Sequence, residues 1–133
     1  MKLVICDMKK IIFLFLFALF FSFQEVDASN EVPIYLFYGD TCPICEEERI
    51  FLKELKEEYD FIQIYEIETY RSEENNLKLE KVKDLYRISS LGVPFTVIGD
   101  TAILGFQEST KSRFISLIES IKQRIFRIER DTF

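Results

Sequence analysis

Two cysteines three positions apart, Cys42-Pro43-Ile44-Cys45, stand where an apolar run, Ile34-Tyr35-Leu36-Phe37-Tyr38, gives way to a charged, helically spaced segment. A disulfide between residues this close closes a very small ring. A crosslink stabilises a fold by restricting the unfolded chain, and a ring of this size restricts it little. The pair is better suited to exchanging electrons than to stapling. If a helix follows, Cys42 sits at its N-terminus, where free N–H groups and the positive end of the macrodipole favour a thiolate.

The residues around the pair prescribe a strand, a turn carrying the cysteines, and a helix. Ile34 to Tyr38 reads as a strand buried on both faces, ended by Gly39-Asp40-Thr41. Glu46 to Tyr59 has helical spacing, with Phe51, Leu52, Leu55 and Tyr59 on one side. Phe61 to Ile67 is a second strand, apolar enough to lie inside a sheet, and the three elements make a βαβ unit with parallel strands. Ser72 is a candidate cap for a second helix reaching about Tyr86, with Leu77, Leu79, Val82 and Leu85 inward and Glu73-Glu74-Asn75-Asn76 as an insertion or a loose first turn. Phe95-Thr96-Val97-Ile98 and Thr101-Ala102-Ile103-Leu104, separated by Gly99-Asp100, read as a tight antiparallel hairpin. A last helix from about Thr110 to Arg130 carries an inward stripe of Phe114, Leu117, Ile118, Ile121, Ile125 and Ile128. Its basic residues read as a solvated face.

The 133 residues hold one compact domain. Lys2, Lys9 and Lys10 precede Ile11 to Phe23, where every residue but Ser22 is apolar, and Val26-Asp27-Ala28 offers a cleavage position. Residues 1–28 are therefore expected to be a secretory signal, leaving 29–133 as the domain. The alternative is a retained anchor, in which case residues 11–23 hold the chain at a membrane; the run is short for a spanning helix. Cleavage removes Lys2, Lys9 and Lys10 together with Asp7, Glu25 and Asp27, so the net charge of −6 is unchanged. That acidity argues against a nucleic-acid partner. Cleavage also removes Cys6 and leaves Cys42 and Cys45 as the remaining thiols, which is not the pattern of a disulfide scaffold. A zinc site wants about four ligands; with no His in the chain, it would need carboxylates or a second chain.

The order β-α-β-α-β-β-α, with Cys-x-x-Cys opening the first helix and Gly92-Val93-Pro94 just before the third strand, resembles the thioredoxin superfamily over about Ile34 to Ile128. The resemblance implies an α/β fold with a central mixed four-stranded sheet. It implies a cis Pro94 lying against the cysteines, and a Val93 whose backbone pairs with substrate as an added strand would. Pro43, Ile44, Val93 and Pro94 are then the substrate-binding residues, and Cys42 and Cys45 the catalytic ones. Gly105-Phe106 resembles the turn that enters the family's last helix. No cofactor is implied beyond the Cys42–Cys45 disulfide itself.

Markers of subtype are missing. Thioredoxin proper has a buried acid six residues before its first cysteine; Leu36 stands there, so any such acid would have to come from Glu46, Glu47 or Glu48. Pro43-Ile44 looks more like the dipeptide of glutaredoxins and bacterial periplasmic oxidants. Gly39 and Gly92, however, occupy positions where glutaredoxins usually place Lys and Thr. The function expected is extracytoplasmic thiol–disulfide exchange on protein thiols and disulfides by a monomer, with a membrane redox partner. Asp40 and Glu46 to Glu48 would oppose thiolate formation, which favours a reductant or isomerase. The rival readings are a non-catalytic binding module with a permanent disulfide and a membrane-tethered electron relay.

Overall fold

The computed structural model describes residues 8, 10–12 and 30–132. The expected signal or anchor, its cleavage position and Cys6 lie outside the described residues, apart from residues 8 and 10–12. Seven elements follow one another: β1 (Val32–Tyr38), α1 (Pro43–Glu58), β2 (Ile62–Glu68), α2 (Glu73–Leu85), β3 (Phe95–Ile98), β4 (Thr101–Leu104) and α3 (Glu108–Thr132). The sheet order is β2-β1-β3-β4. β1 runs parallel to β2 and antiparallel to β3, and β3 is antiparallel to β4. The expected α/β class, mixed four-stranded sheet and element order are all present. Among the described residues no helix is long and apolar enough to cross a membrane.

Two cores flank the sheet. On one face Ile34, Leu36, Leu52, Leu55, Ile62, Ile98, Phe114 and Ile118 pack between the sheet and helices α1 and α3. On the other, Phe37, Phe95 and Val97 meet Leu79 of α2. Phe114 is fully buried and meets Phe51 edge-on, ring centres 5.8 Å apart, so α3 is keyed to α1 over the same face of the sheet. The Tyr59 hydroxyl adds a polar tie, donating to Glu119 Oε1 at 2.7 Å. That bond, with burial, pushes the phenol up to about 12.

Several expectations need correction. β1 is not buried on both faces throughout, because Pro33 and Tyr35 are exposed; Tyr35 stacks on Tyr65 of the neighbouring strand β2 at 5.1 Å. β2 lies at an edge rather than inside the sheet. In α2, Leu79 is inward but Leu77 and Leu85 are exposed, and Lys83 is buried in their stead. A lysine can take such a position because its methylene stem is apolar. The first turn of α2 is regular: Ser72 caps it by accepting from Asn75 N–H, and the Asn75 side chain donates to Glu68 O. Ile128, expected in the stripe of α3, is exposed. Near the far end of α3 the Asn30 side chain donates to Glu129 Oε1 at 2.9 Å.

Phe114→Ala removes the ring that joins α1 to α3. It should lower the unfolding free energy of the oxidised protein by about 3–5 kcal/mol, read by urea denaturation.

Candidate redox-active site

Register places the chemistry. Phe37 pairs with Phe95 in the antiparallel β1–β3 ladder, so one step further along, Tyr38 faces the position of Pro94 and Gly39 that of Val93. The end of β1, which leads into the cysteines, and the entry to β3 therefore meet at one end of the sheet. The Val93–Pro94 peptide bond is cis, and Pro94 is fully buried. Gly105, at the close of β4, has φ of 77° and donates its N–H to Pro94 O at 2.8 Å. A left-handed backbone is tolerated there because glycine has no Cβ.

Cys42 is the N-cap of α1, with Pro43 in the first turn, where its missing N–H costs nothing. Cys42 and Cys45 are joined by a disulfide with Cα atoms 5.2 Å apart. The two sulfurs are not equivalent. Cys42 is half-buried and its Sγ accepts the Cys45 N–H at 3.2 Å, whereas Cys45 is 1% exposed. Pro43 and Ile44 are exposed on the rim. All six residues named from the sequence thus lie at the same end of the sheet.

The loop before Cys42 is fastened by the loop that follows β2. Thr69 donates both its N–H and its hydroxyl to Tyr38 O, at 2.9 and 3.0 Å. Glu68 accepts the N–H groups of Tyr70 and Arg71, and Arg71 forms an ion pair with Asp40. The Tyr70 ring lies where a Cβ on residue 39 would be, which requires glycine at Gly39. Beside this loop a groove of about 320 Å³ runs between Tyr70 and Gly92-Val93, with Leu79 and Lys83 in its wall.

The three glutamates after Cys45 have different fates. Glu46 pairs with Arg49, which also holds Glu66, and Glu47 is exposed. Glu48 is buried, 1% exposed, and accepts the Thr96 hydroxyl on Oε1 at 2.5 Å. Its Oε2 is buried with no hydrogen-bond partner among the described residues. Burial pushes the carboxyl up to about 7, against the opposing effect of the Thr96 bond. Sequence reasoning grouped Glu48 with its neighbours, although its spacing from Cys45, one helical turn, already put both on one face. It passed over Thr96, Tyr70 and Lys83, whose roles depend on contacts between elements. Among the described residues no three His, Cys, Asp or Glu side chains gather as a metal site would need.

No family model matches this sequence, and no curated protein matches it. Solved structures do. A glutaredoxin from Archaeoglobus fulgidus is 30% identical, with 62% of this chain and 84% of that one covered and a TM-score of 0.46. A putative thiol:disulfide interchange protein DsbE from Chlorobium tepidum is 13% identical, covers 70% and 81% respectively, and gives a TM-score of 0.53. Thioredoxin O2 from Arabidopsis thaliana is 18% identical over 68% and 75%, with a TM-score of 0.48.

A buried acid whose folded pKa of about 7 lies above the unfolded value of 4.5 binds its proton more tightly in the folded state. The stability it lends is complete below about pH 4.5 and is lost as pH rises through about 7, a loss on the order of 3 kcal/mol. Glu48→Gln escapes that loss. Wild type and variant, unfolded by urea with the disulfide intact, should diverge in the variant's favour between pH 5 and pH 8.

Proposed function

Because this chain belongs to the thioredoxin superfamily, we propose that it is an extracytoplasmic thiol–disulfide oxidoreductase that acts on protein disulfides through Cys42 and Cys45. The observation that carries this reading is the inequality of the two sulfurs, one accessible at a helix N-cap and one buried a turn below it. In the reduced protein the Cys42 thiolate attacks a substrate disulfide, forming a Cys42–substrate disulfide and expelling one substrate thiolate. Cys45 then attacks Cys42 Sγ. The Cys42–Cys45 disulfide forms, the second substrate sulfur leaves as a thiolate, and the substrate has gained the two electrons the protein has lost. The Cys45 N–H and the helix dipole stabilise Cys42 as an anion between turnovers. The groove beside Val93 gives an extended substrate chain a place to lie along the backbone before Pro94.

Direction follows from how strongly the thiolate is held. Arg71 offsets Asp40 and Arg49 offsets Glu46, but exposed ion pairs are weak, and Glu47 adds a further carboxylate. The balance favours a moderate reductant or isomerase over a strong oxidant. The apolar run of residues 11–23 supports export, and a monomer recharged by a membrane redox protein suits that location.

Reduced protein should accelerate insulin disulfide reduction by dithiothreitol, and Cys42→Ala should abolish the effect while Cys45→Ala traps a mixed disulfide. Equal rates for wild type and Cys42→Ala would make the fold a binding module. In pH-dependent alkylation the Cys42 midpoint should lie between about 5 and 8; a lower midpoint reverses the assigned direction.

A further inference from the structure

We propose that Lys83 makes the groove beside Val93 a recognition site for an acidic side chain of the substrate protein, so that disulfides flanked by Asp or Glu are favoured. This specificity rests on the oxidoreductase reading above.

Lys83 stands where an apolar residue would serve packing better. Leu79 and Lys83, one turn apart on α2, are 3% and 2% exposed, and side chains at this spacing share a helix face. The stem alone could be supplied by methionine at similar volume, without the cost of burying a charge. Elsewhere on α2 the same residue type stays at the surface: Lys78 and Lys81 are exposed, and Lys78 pairs with Glu74.

The head group is unmatched. Lys83 Nζ has no hydrogen-bond partner among the described residues: the one carboxylate within 4 Å, the half-exposed Glu80, stands at 3.7 Å, beyond hydrogen-bond reach. The centre of the Phe95 ring lies 5.9 Å away, at the limit of a cation–π contact. An ammonium carries three N–H donors, and here they lie in the wall of the groove that runs to Gly92 and Val93. Lys83 and Glu80 are the charged residues that line it; Thr69, Tyr70 and Asn76 are neutral.

Position joins this cation to the chemistry. Phe95, over which the ammonium sits, directly follows Pro94, and Val93 is the residue whose backbone an extended substrate chain would pair with. Along such a chain alternate side chains turn the same way, so a residue close to the substrate cysteine extends over the groove toward α2. A carboxylate there accepts N–H bonds from Lys83, which the longer contact with Glu80 does not provide. Arg71 and Arg49, the other cations of the rim, are already held by Asp40 and by Glu46 and Glu66.

The sign of the preference separates this site from the general field. A chain with a net charge of −6 draws basic substrates and repels acidic ones. Faster reaction of an acidic peptide therefore requires a local cation.

The test uses the reduced full chain in a Cys6→Ser background and end-blocked peptides whose single cysteine is a mixed disulfide with neutral pyridine-2-thiol. Glu, Gln or Lys is placed in turn at each of the two positions on either side of that cysteine. Cys42 attack releases pyridine-2-thione and Cys45 then releases the peptide thiol. At one placement the Glu peptide should react about tenfold faster than the Gln peptide, with the Lys peptide slower still. Lys83→Arg should keep this order, Lys83→Met should bring Glu to or below Gln, and Glu80→Gln, which removes the competing carboxylate, should widen the gap. Equal Glu and Gln rates at every placement, or a Glu preference that Lys83→Met retains, overturns this specificity alone. Should Lys83→Met fail to fold, an unchanged Glu-to-Gln ratio in Glu80→Gln overturns it. A protein whose Cys42 holds the peptide without Cys45 releasing it overturns the oxidoreductase reading and this specificity with it.

Discussion

Everything chemical in the molecule depends on β1 being hydrogen-bonded along both edges. Its parallel partner β2 and antiparallel partner β3 fix it in register from Val32 to Tyr38, and the pairing of Phe37 with Phe95 brings the exit of β1 to the entry of β3. Residues distant in sequence, Cys42 and Pro94, then belong to one end of one sheet without a dedicated contact having to gather them. One face of β1 is dry: Ile34 and Leu36 are wholly buried. The carboxyl buried over this face, Glu48, comes from helix α1 and is met there by Thr96 on the next strand.

Charge is arranged in two layers. Around the rim Asp40, Glu46 and Glu66 are each met by an arginine, and Arg49 also lies 4.7 Å over the Tyr38 ring. The acidic chain therefore presents a site less negative than its composition suggests. Beneath the rim the rule changes. Glu48 has a hydroxyl rather than a cation as partner, so burial is left to govern its protonation, whereas a buried ion pair would have kept it ionised.

The sequence disclosed the architecture because each element carries its own period and punctuation. Gly99-Asp100 could be read as a hairpin turn, Ser72 as a cap, and Cys42 as the head of a helix, and each is so in the structure. Burial was less legible wherever it depends on how far a neighbour reaches. Leu77 and Leu85 match a helical stripe yet are exposed; Tyr35 sits in a central strand and is exposed beside Tyr65; Ile128 continues a stripe beyond the core it would fill. At the site, Cys42, Pro43, Ile44, Cys45, Val93 and Pro94 were legible from spacing and resemblance together. Thr96 and Tyr70 were not, since a threonine in a strand and a tyrosine in a loop acquire meaning only through what the fold sets opposite them.

The Asn30–Glu129 bond has a geometric consequence. It ties the start of the domain to the tail of α3, and β1 then carries the chain through seven residues, roughly 20 Å, before the cysteines are reached. The domain has two poles, one where the preceding segment enters and one where electrons pass. Were the chain held at a surface through the residues before Asn30, the disulfide would lie at the end of the domain away from that attachment.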